Sequence, residues 1–246
     1  LEAKALGYLK PADVVVMHPD EILHVALGQA RALADAGYRP PLAPTAIPVA
    51  GRTLLDRALD LGRGAGLDQV VVNIHHLGGQ IRDHIAGLTT GPDIAISDES
   101  DLLLETGGGL RKALPLLGPG PVITMNPDVI WTGPNPLAAL LAAWDDRMDA
   151  LLMLVPLAHT HGRKGGGDFS LDQAGRLIRK GDLVYGGAQI IRTDRLAGIG
   201  DEVFSLNRLW DLMIAEGRAH GLIHAGEWCD VGRPDCIPLA EALLDG

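Results

Sequence analysis

The chain has 246 residues, 47% of them hydrophobic, which is enough for one large domain or two small ones with a real core. That hydrophobic fraction excludes a disordered tail and a fibrous repeat. The 31 acidic residues exceed the 21 basic residues and give a formal net charge of −10. Nucleic acids and anionic membranes are therefore poor partners, because nothing offsets their phosphate charge.

The sequence also predicts where the protein works. Residues 1–10 lack the basic and then apolar pattern of a secretion signal. The longest apolar stretches, near Pro136–Trp144 and Ala150–Ala158, are too short to span a bilayer. Cys229 and Cys236 are too few for a disulfide framework. We therefore expect a soluble, cytoplasmic protein, and the sequence leaves its oligomeric state open.

In chain order, the predicted elements begin with a strand-like run (VVVMH) and a long alanine-rich helix within residues 13–39. Short β-branched runs then alternate with helical stretches, namely strands at Gln69–Ile74, Asp93–Ser97 and Val122–Met125 and helices at Leu77–Ala86, Leu110–Leu117 and Pro136–Trp144. The last third has fewer helices and contains strand-like runs at Asp168–Leu171, Leu177–Arg179, Leu183–Arg192 and Gly221–Ala225. We predict a single α/β domain over residues 1–246, three-layered and Rossmann-like, with a mostly parallel sheet and a small β-rich extension.

Three motifs lie at strand ends or open a helix, at the sheet edge where such folds bind ligands. Asn126-Pro127-Asp128 follows one strand, and Trp228-Cys229-Asp230-Val231-Gly232 ends another strand-like run. Glu105–Gly109 (ETGGG) opens a helix, whose glycines and positive end would present N–H groups. Two aspartates from distant strand ends can hold one Mg²⁺ through hard oxygen ligands and leave room for phosphate oxygens. The alternative for either aspartate alone is a turn or cap residue.

Other motifs fit less well. Gly62-x-Gly64-x-Gly66 follows a helical stretch, without the strand-then-helix context of a dinucleotide fingerprint. His75-His76 and His159-x-His161 are possible metal ligands, but no carboxylate or thiolate partner is evident nearby, which favours polar loop or cap histidines. Cys229 is predicted to be a small buried thiol.

The three motifs, in this order, resemble those of the sugar-1-phosphate nucleotidyltransferase family, in particular its bacterial N-acetylmuramate-1-phosphate uridylyltransferases. Ile47–Gly51 (IPVAG) is similar to the family's P-V-[AG]-G segment, with a helix expected over Arg52–Asp60. The resemblance continues collinearly through HGRKGGGDF, YGGAQI, FSLNRLWD and WCDVG and covers residues 47–246. It implies a nucleotide-diphospho-sugar transferase fold.

The resemblance also implies a reaction and its residues. A sugar 1-phosphate, N-acetylmuramate 1-phosphate, would attack the α-phosphate of a nucleoside triphosphate, UTP, and release pyrophosphate in cell-wall sugar recycling. By this resemblance Asp128 and Asp230 would hold Mg²⁺ as catalytic ligands. The remaining implied contacts are Glu105, Thr106, Gly107, Gly108 and Asn126 to the nucleotide, and Asp168 and Gly187 to the sugar.

Residues 1–46 depart from the family, which normally has a G-x-G-T-R loop and then a lysine that together bind the triphosphate. Neither is present, and no lysine occurs between Lys10 and Lys112. The sequence leaves three explanations open: a reading-frame or assembly error upstream of Ile47, a non-catalytic relative with an altered N-terminus, or replacement of the lost charges by Arg31 or Arg39.

Two hypotheses about function follow, from different classes. One is an Mg²⁺-dependent sugar-phosphate nucleotidyltransferase, and the other is a degenerate module that binds a nucleotide or sugar phosphate or mediates an interaction. A dehydrogenase on a similar sheet would need a G-x-G-x-x-G turn after the first strand, and the sequence has none there.

Overall fold

The computed structural model describes residues 48–245. The expectations for residues 1–46, including the predicted strand and helix within 13–39 and the roles of Arg31 and Arg39, lie outside the described residues. The division of residues 1–246 into a single domain stays a prediction.

The central sheet has six strands, namely β5 (Val122–Met125), β7 (Ala150–Pro156), β9 (Gly167–Leu171), β10 (Leu177–Gly181), β11 (Leu183–Ile191) and β12 (Ala219–Ile223). Their order is β10-β9-β11-β7-β12, and β5 also pairs with β11. Strand β11 runs antiparallel to β5, β7 and β9, whereas β12 is parallel to β7. The sheet is therefore mixed over the described residues.

Smaller sheets carry the other strands. Strand β3 (Gln69–Ile74) pairs in parallel with β4 (Asp93–Asp98), so that the carboxyl ends of both lie on one edge. In a three-stranded sheet, β13 (Trp228–Asp230) lies between β6 (Val129–Trp131) and β8 (Thr160–His161). A short hairpin joins β1 (Pro48–Val49) to β2 (Arg52–Thr53).

Six α-helices occur over residues 48–245, namely α1 (Leu54–Gly64), α2 (Gly78–Ala86), α3 (Glu105–Leu117), α4 (Pro136–Ala143), α5 (Asn207–Ala215) and α6 (Ile237–Asp245). Local sequence explains where two of them begin. The Thr53 hydroxyl caps α1 by accepting a hydrogen bond from the Asp56 N–H at 3.0 Å. The Asn135 side chain caps α4, and Pro136 at the first turn needs no N–H partner.

The core lies on both faces of the central sheet. Strand β7 is apolar along its whole length, and its side chains alternate between two clusters. Ala150, Leu152 and Leu154 pack into one cluster with α5, while Leu151 and Met153 pack into the other with α4. A strand buried on both faces has no polar alternation, because neither face meets water.

The predicted fold class is confirmed as an α/β fold with a central sheet. The expectation of a mostly parallel sheet is wrong for the described residues, because in the central sheet only β12 runs parallel to its neighbour and the other pairings are antiparallel. The predicted strands and helices between Gln69 and Trp144 are present, although α3 begins at Glu105 rather than Leu110. The apolar stretch at Ala150–Ala158 contains β7, which the periodicity did not identify, and α5 was also missed. Among residues 48–245, no helix combines the length and apolar character needed to cross a membrane.

Candidate active site

A cavity of about 730 Å³ opens at the carboxyl ends of β3, β4 and β5. Seven of the nine residues predicted for the site line it, namely Glu105, Thr106, Asn126, Asp128, Asp168, Gly187 and Asp230. Residues separated by more than one hundred positions in the sequence are therefore brought to one place. Gly107 and Gly108 are not in the lining.

Asp230 is the last residue of β13, and Asp128 directly precedes the adjacent strand β6. Asp230 pairs with Val129 in the β13–β6 ladder, so Asp128 is one residue beyond this pair. The Val231 N–H donates to the Asp128 carbonyl oxygen at 2.8 Å and holds the two segments together. A Cβ added to Gly232 would lie 3.1 Å from Asp230 Oδ1 and 3.4 Å from Asp128 Oδ2, so both carboxylates converge on this glycine.

The electrostatics of this pair suit a cation. Asp128 reaches solvent from inside the cavity, but protein atoms crowd its carboxyl group. Partial burial, reinforced by the negative charge of Asp230, raises the pKa of Asp128 above its usual range. The two carboxylates repel each other, and a bound cation would relieve this repulsion. Their hard oxygen atoms fit Mg²⁺, which commonly binds one or two carboxylates and completes its coordination shell with water and phosphate. Within residues 48–245, no cluster of three or more His, Cys, Asp or Glu side chains forms a complete protein cage for a metal.

The three glycines of the ETGGG motif serve close packing. A Cβ on Gly107 would lie 2.4 Å from the Phe204 ring, and one on Gly109 would lie 2.7 Å from Glu99 Oε1. The N–H groups of Gly107 and Gly108 both donate to the Phe204 carbonyl oxygen, at 2.9 and 3.1 Å. The expectation that these N–H groups face a ligand is therefore wrong for Gly107 and Gly108, because the chain segment before α5 occupies them.

The first turn of α3 still borders the cavity through Glu105 and Thr106. Glu105 has φ +64°, a left-handed conformation that costs a non-glycine residue free energy and is more frequent at functional sites. The Thr106 hydroxyl accepts a hydrogen bond from the Leu206 N–H at 3.0 Å. This bond fixes Thr106 against the segment that precedes α5.

Glu99 is a site residue that the sequence analysis did not identify. Its carboxylate is buried and accepts hydrogen bonds from Asn73 Nδ2 at 2.5 Å and from the Leu104 N–H at 3.2 Å. The Asn73 amide also donates to the Gly109 carbonyl oxygen at 3.1 Å. Glu99 follows β4 directly, so the rule that selected Asp128 at a strand end would have selected it as well.

Two glycines in β11 let the backbone approach the cavity. The β11–β7 register shifts between Tyr185 and Gln189, which marks a bulge at Gly186 and Gly187. Gly187 has φ +91°, and a Cβ there would lie 3.0 Å from the Cβ of Asn126. The Asn126 N–H donates to the Gly187 carbonyl oxygen at 2.8 Å, so these two predicted residues contact each other.

Asp168 lines the cavity, and both of its carboxylate oxygens already have protein partners. Oδ1 accepts from Arg163 Nη2 at 2.8 Å, and Oδ2 accepts from the Tyr185 N–H at 2.9 Å. The Arg163 guanidinium is therefore held in the cavity wall by Asp168, the residue for which the family resemblance implies a sugar contact.

Contacts also bear on two other expectations, for the histidines and for Cys229, and they show what Arg233 binds. His159 and His161 share a carboxylate partner, Glu227, at 2.7 and 2.8 Å, which the sequence could not show because it lies more than sixty residues away. Cys229 is buried as predicted, and its burial raises the pKa of the thiol to about 11. The Arg233 guanidinium donates to the Gly162 carbonyl oxygen at 2.9 Å and supports that loop.

Several known proteins are similar to this chain in sequence. The N-acetylmuramate alpha-1-phosphate uridylyltransferase of Caulobacter vibrioides is 39% identical over 210 residues, covering 80% of this chain and 86% of that protein. The enzyme of the same name from Neisseria meningitidis serogroup B is 34% identical over 223 residues, covering 87% and 92%. The bifunctional protein GlmU of Cupriavidus necator is 31% identical over 134 residues, covering 54% of this chain and 27% of that protein.

Solved structures share the fold. HddC from Yersinia pseudotuberculosis superposes with a TM-score of 0.64 and 15% sequence identity, covering 84% of this chain and 92% of that chain. HddC complexed with GMP-PN gives the same TM-score and covers 83% and 91%. No protein-family model matches the chain.

Proposed function

Since the chain belongs to the sugar-1-phosphate nucleotidyltransferase family, we propose that it joins UTP to N-acetylmuramate 1-phosphate with the aid of Mg²⁺ and releases pyrophosphate. The single observation that carries this proposal is the pair of carboxylates on Asp128 and Asp230, converging at the wall of the cavity that Glu105, Thr106 and Asn126 also line. The choice of UTP and of the sugar follows the names of the two uridylyltransferase relatives.

Each residue has a part in this proposal. Asp128 and Asp230 would hold Mg²⁺, which when bound neutralises phosphate charge and orients the reacting groups. Glu105, Thr106 and Asn126 would contact the nucleotide from the first turn of α3 and the end of β5. The transfer needs no covalent intermediate on the protein, so the contribution of these side chains is positioning and electrostatic stabilisation.

Asp168 has a different part. Because both of its oxygens bind protein donors, we assign it the task of orienting Arg163 and the β11 backbone beside the sugar. Gly187 would let the β11 backbone approach the sugar, since its left-handed conformation and its contact with Asn126 leave no room for a side chain.

A second candidate, a degenerate binding module, is favoured by one specific observation. Residues 1–46 lack the G-x-G-T-R loop and the lysine with which the family binds triphosphate. The described cavity wall contains five carboxylates and two arginines, so the triphosphate needs positive charge from another source.

Pyrophosphate release by the purified chain with Mg²⁺, UTP and N-acetylmuramate 1-phosphate tests the proposal. We expect release that Asp230→Asn reduces by roughly 100-fold or more, because one of the two proposed metal ligands is lost. Asp235→Asn is the matched control, since Asp235 is an exposed carboxylate five residues after Asp230, and its rate should stay near that of the wild type.

The two candidates give different results in this assay. A folded protein that binds UTP or the sugar phosphate but releases no pyrophosphate would contradict the enzyme and support the binding module. Release that Asp230→Asn leaves unchanged would contradict the metal assignment.

A further inference from the structure

Acidic side chains outnumber arginines on the described cavity wall. Among the described residues, the arginines that line it are Arg163 and Arg179. Five carboxylates line the same cavity, namely Glu99, Glu105, Asp128, Asp168 and Asp230. An acid group on the sugar of a bound substrate would be repelled over most of this surface, so it needs contact with a cation.

Arg179 already has partners for all of its nitrogens. Nε donates to Asp211 Oδ1 at 2.8 Å, Nη1 donates to Asn207 Oδ1 at 2.9 Å, and Nη2 lies 2.7 Å from Asp211 Oδ1. The guanidinium also stacks over the Phe169 ring at 4.9 Å from its centroid. Arg179 therefore joins β10 to α5, and each of its three nitrogens has a protein partner.

Arg163 has one nitrogen, Nη1, that its partners among the described residues leave unused. Nη2 donates to Asp168 Oδ1 at 2.8 Å, and both Nε and Nη2 donate to the Gly166 carbonyl oxygen at 3.2 Å. Within residues 48–245, no hydrogen bond or ion pair uses Nη1. The side chain lines the cavity and is 25% exposed, so a guanidinium that is held in place keeps Nη1 available to donate to a ligand.

The backbone before Arg163 is fixed to the strand that carries Asp230. Gly162 has φ +73°, and a Cβ there would lie 2.5 Å from the Asp230 carbonyl oxygen. The Gly162 carbonyl oxygen also accepts a hydrogen bond from Arg233 at 2.9 Å. The position of Arg163 relative to the carboxylate pair is therefore set by packing, and a ligand group that binds Arg163 incurs little ordering cost.

We propose that Nη1 of Arg163 binds a carboxylate carried by the sugar ring of the sugar 1-phosphate, so that the site selects acidic sugar phosphates over neutral ones. This inference rests on the proposed function. N-acetylmuramate carries a lactyl ether with a carboxylate, and N-acetylglucosamine lacks it and is otherwise the same sugar. A charge-assisted hydrogen bond from the Arg163 guanidinium to the lactyl carboxylate would therefore favour binding of N-acetylmuramate 1-phosphate over N-acetylglucosamine 1-phosphate, which differ only in the lactyl group.

Isothermal titration calorimetry of the full chain with Mg²⁺ tests the inference without requiring turnover. The probes are N-acetylmuramate 1-phosphate and N-acetylglucosamine 1-phosphate, and the proteins are wild type, Arg163→Gln and Lys164→Gln. We expect the wild type to bind the acidic sugar phosphate about 10- to 100-fold more tightly than the neutral one, and Arg163→Gln to lose most of this ratio. Lys164 is the exposed neighbouring cation outside the cavity lining, so Lys164→Gln should keep the ratio.

Arg163→Lys is a second variant, which keeps the charge and loses the planar donor edge, and it should retain part of the ratio. A wild type that does not discriminate between the two probes, or binds neither, would overturn the inference. So would an Arg163→Gln protein that weakens both probes equally, since this would indicate a contact with the phosphate or a structural role.

The proposed function has a separate readout. Acid selectivity in binding without pyrophosphate release would contradict the uridylyltransferase proposal and leave the role of Arg163 standing. Pyrophosphate release without acid selectivity would contradict only the role of Arg163.

Discussion

The Gly107 N–H donates to the Phe204 carbonyl oxygen at 2.9 Å, and the Phe204 ring lies where a side chain on Gly107 would be. The segment before α5 therefore packs directly on the first turn of α3. This contact places Thr106 and Leu206 within hydrogen-bond distance of each other on the cavity wall. The glycine-rich motif supports the cavity wall through packing, because the N–H groups of Gly107 and Gly108 bind the Phe204 carbonyl oxygen.

Replacing Gly107 by Ala should destabilise the protein by about 1–3 kcal/mol, because Cβ would overlap a ring and a carbonyl oxygen that are both held in place. Chemical denaturation followed by circular dichroism measures this change. Gly79→Ala is the control, since a Cβ there contacts nothing within 4 Å in helix α2, and alanine favours the helix. Equal stability of the two variants would contradict the packing role of Gly107.

Asp128→Asn should raise the melting temperature of the metal-free protein near neutral pH. The pKa of Asp128 is raised in the folded state, so its contribution to stability is complete below the unfolded pKa of 3.8 and is lost as the pH rises through the folded pKa. At neutral pH the ionised carboxylate beside Asp230 is therefore unfavourable, and asparagine removes this charge. Thermal unfolding at several pH values measures the difference.

Thermal unfolding in the presence of Mg²⁺ should instead favour the wild type over Asp128→Asn. Mg²⁺ at about one hundred times its dissociation constant would stabilise the wild type by about 2.7 kcal/mol, and Asp128→Asn should lose most of this gain. Asp101→Asn, at an exposed carboxylate, is the control and should keep it. An unchanged response of Asp128→Asn to Mg²⁺ would show that the ion binds elsewhere.

The sequence predicted most elements for which side-chain periodicity is clear. Gln69–Ile74 and Val122–Met125 were located to the residue, because each is a short β-branched run bounded by polar or turn-forming residues. Strand β7 was missed because its unbroken apolar run has no period that separates a buried strand from a buried helix. Antiparallel pairing of β11 with three neighbours is also invisible in a sequence, since it depends on contacts far apart along the chain.

The candidate site was predictable where motifs follow strands and not where partners are distant. Asp128, Asn126 and Asp230 were selected from their positions at strand ends, and they line one cavity. Arg163 could not be identified as a cavity residue, because its orientation depends on Asp168 and Gly166 after a sharp turn at a left-handed glycine.

Asp149→Asn should cost about 1–3 kcal/mol of stability, because a buried charged hydrogen-bond partner is lost while the guanidinium groups around it keep part of their hydration. Asp149 is 5% exposed, accepts a hydrogen bond from Arg218 Nη2 at 2.7 Å and lies within 4 Å of Arg192 and Arg195. Loss of its charge would leave these guanidinium groups without their shared buried partner. Asp146→Asn is the control, because Asp146 is 89% exposed and its pair with Arg192 contributes at most about 1 kcal/mol.

The difference in stability between the wild type and Asp149→Asn should become smaller at acidic pH. The hydrogen bond from Arg218, with the nearby charges, lowers the pKa of Asp149, so its stabilisation is present above the unfolded pKa of 3.8 and is lost as the pH falls through the folded pKa. The stability gap between wild type and Asp149→Asn should be constant from about pH 6 to 8 and shrink in acid. Urea titrations at each pH measure it, and a gap that grows in acid would contradict the role of the charge.

Glu99→Gln should impair nucleotide binding more than turnover. The two carboxylate oxygens accept hydrogen bonds from Asn73 and from the Leu104 N–H, so a glutamine amide would direct its NH₂ group at one of these donors. The loss of about 1–3 kcal/mol would loosen the start of α3, where Glu105 and Thr106 line the cavity. We expect KM for the nucleoside triphosphate to rise roughly 10-fold with a smaller change in kcat. Asp98→Asn, at the neighbouring half-exposed carboxylate paired with Arg82, should leave KM unchanged, and an equal rise in both variants would show that charge in this region matters rather than the hydrogen bonds of Glu99.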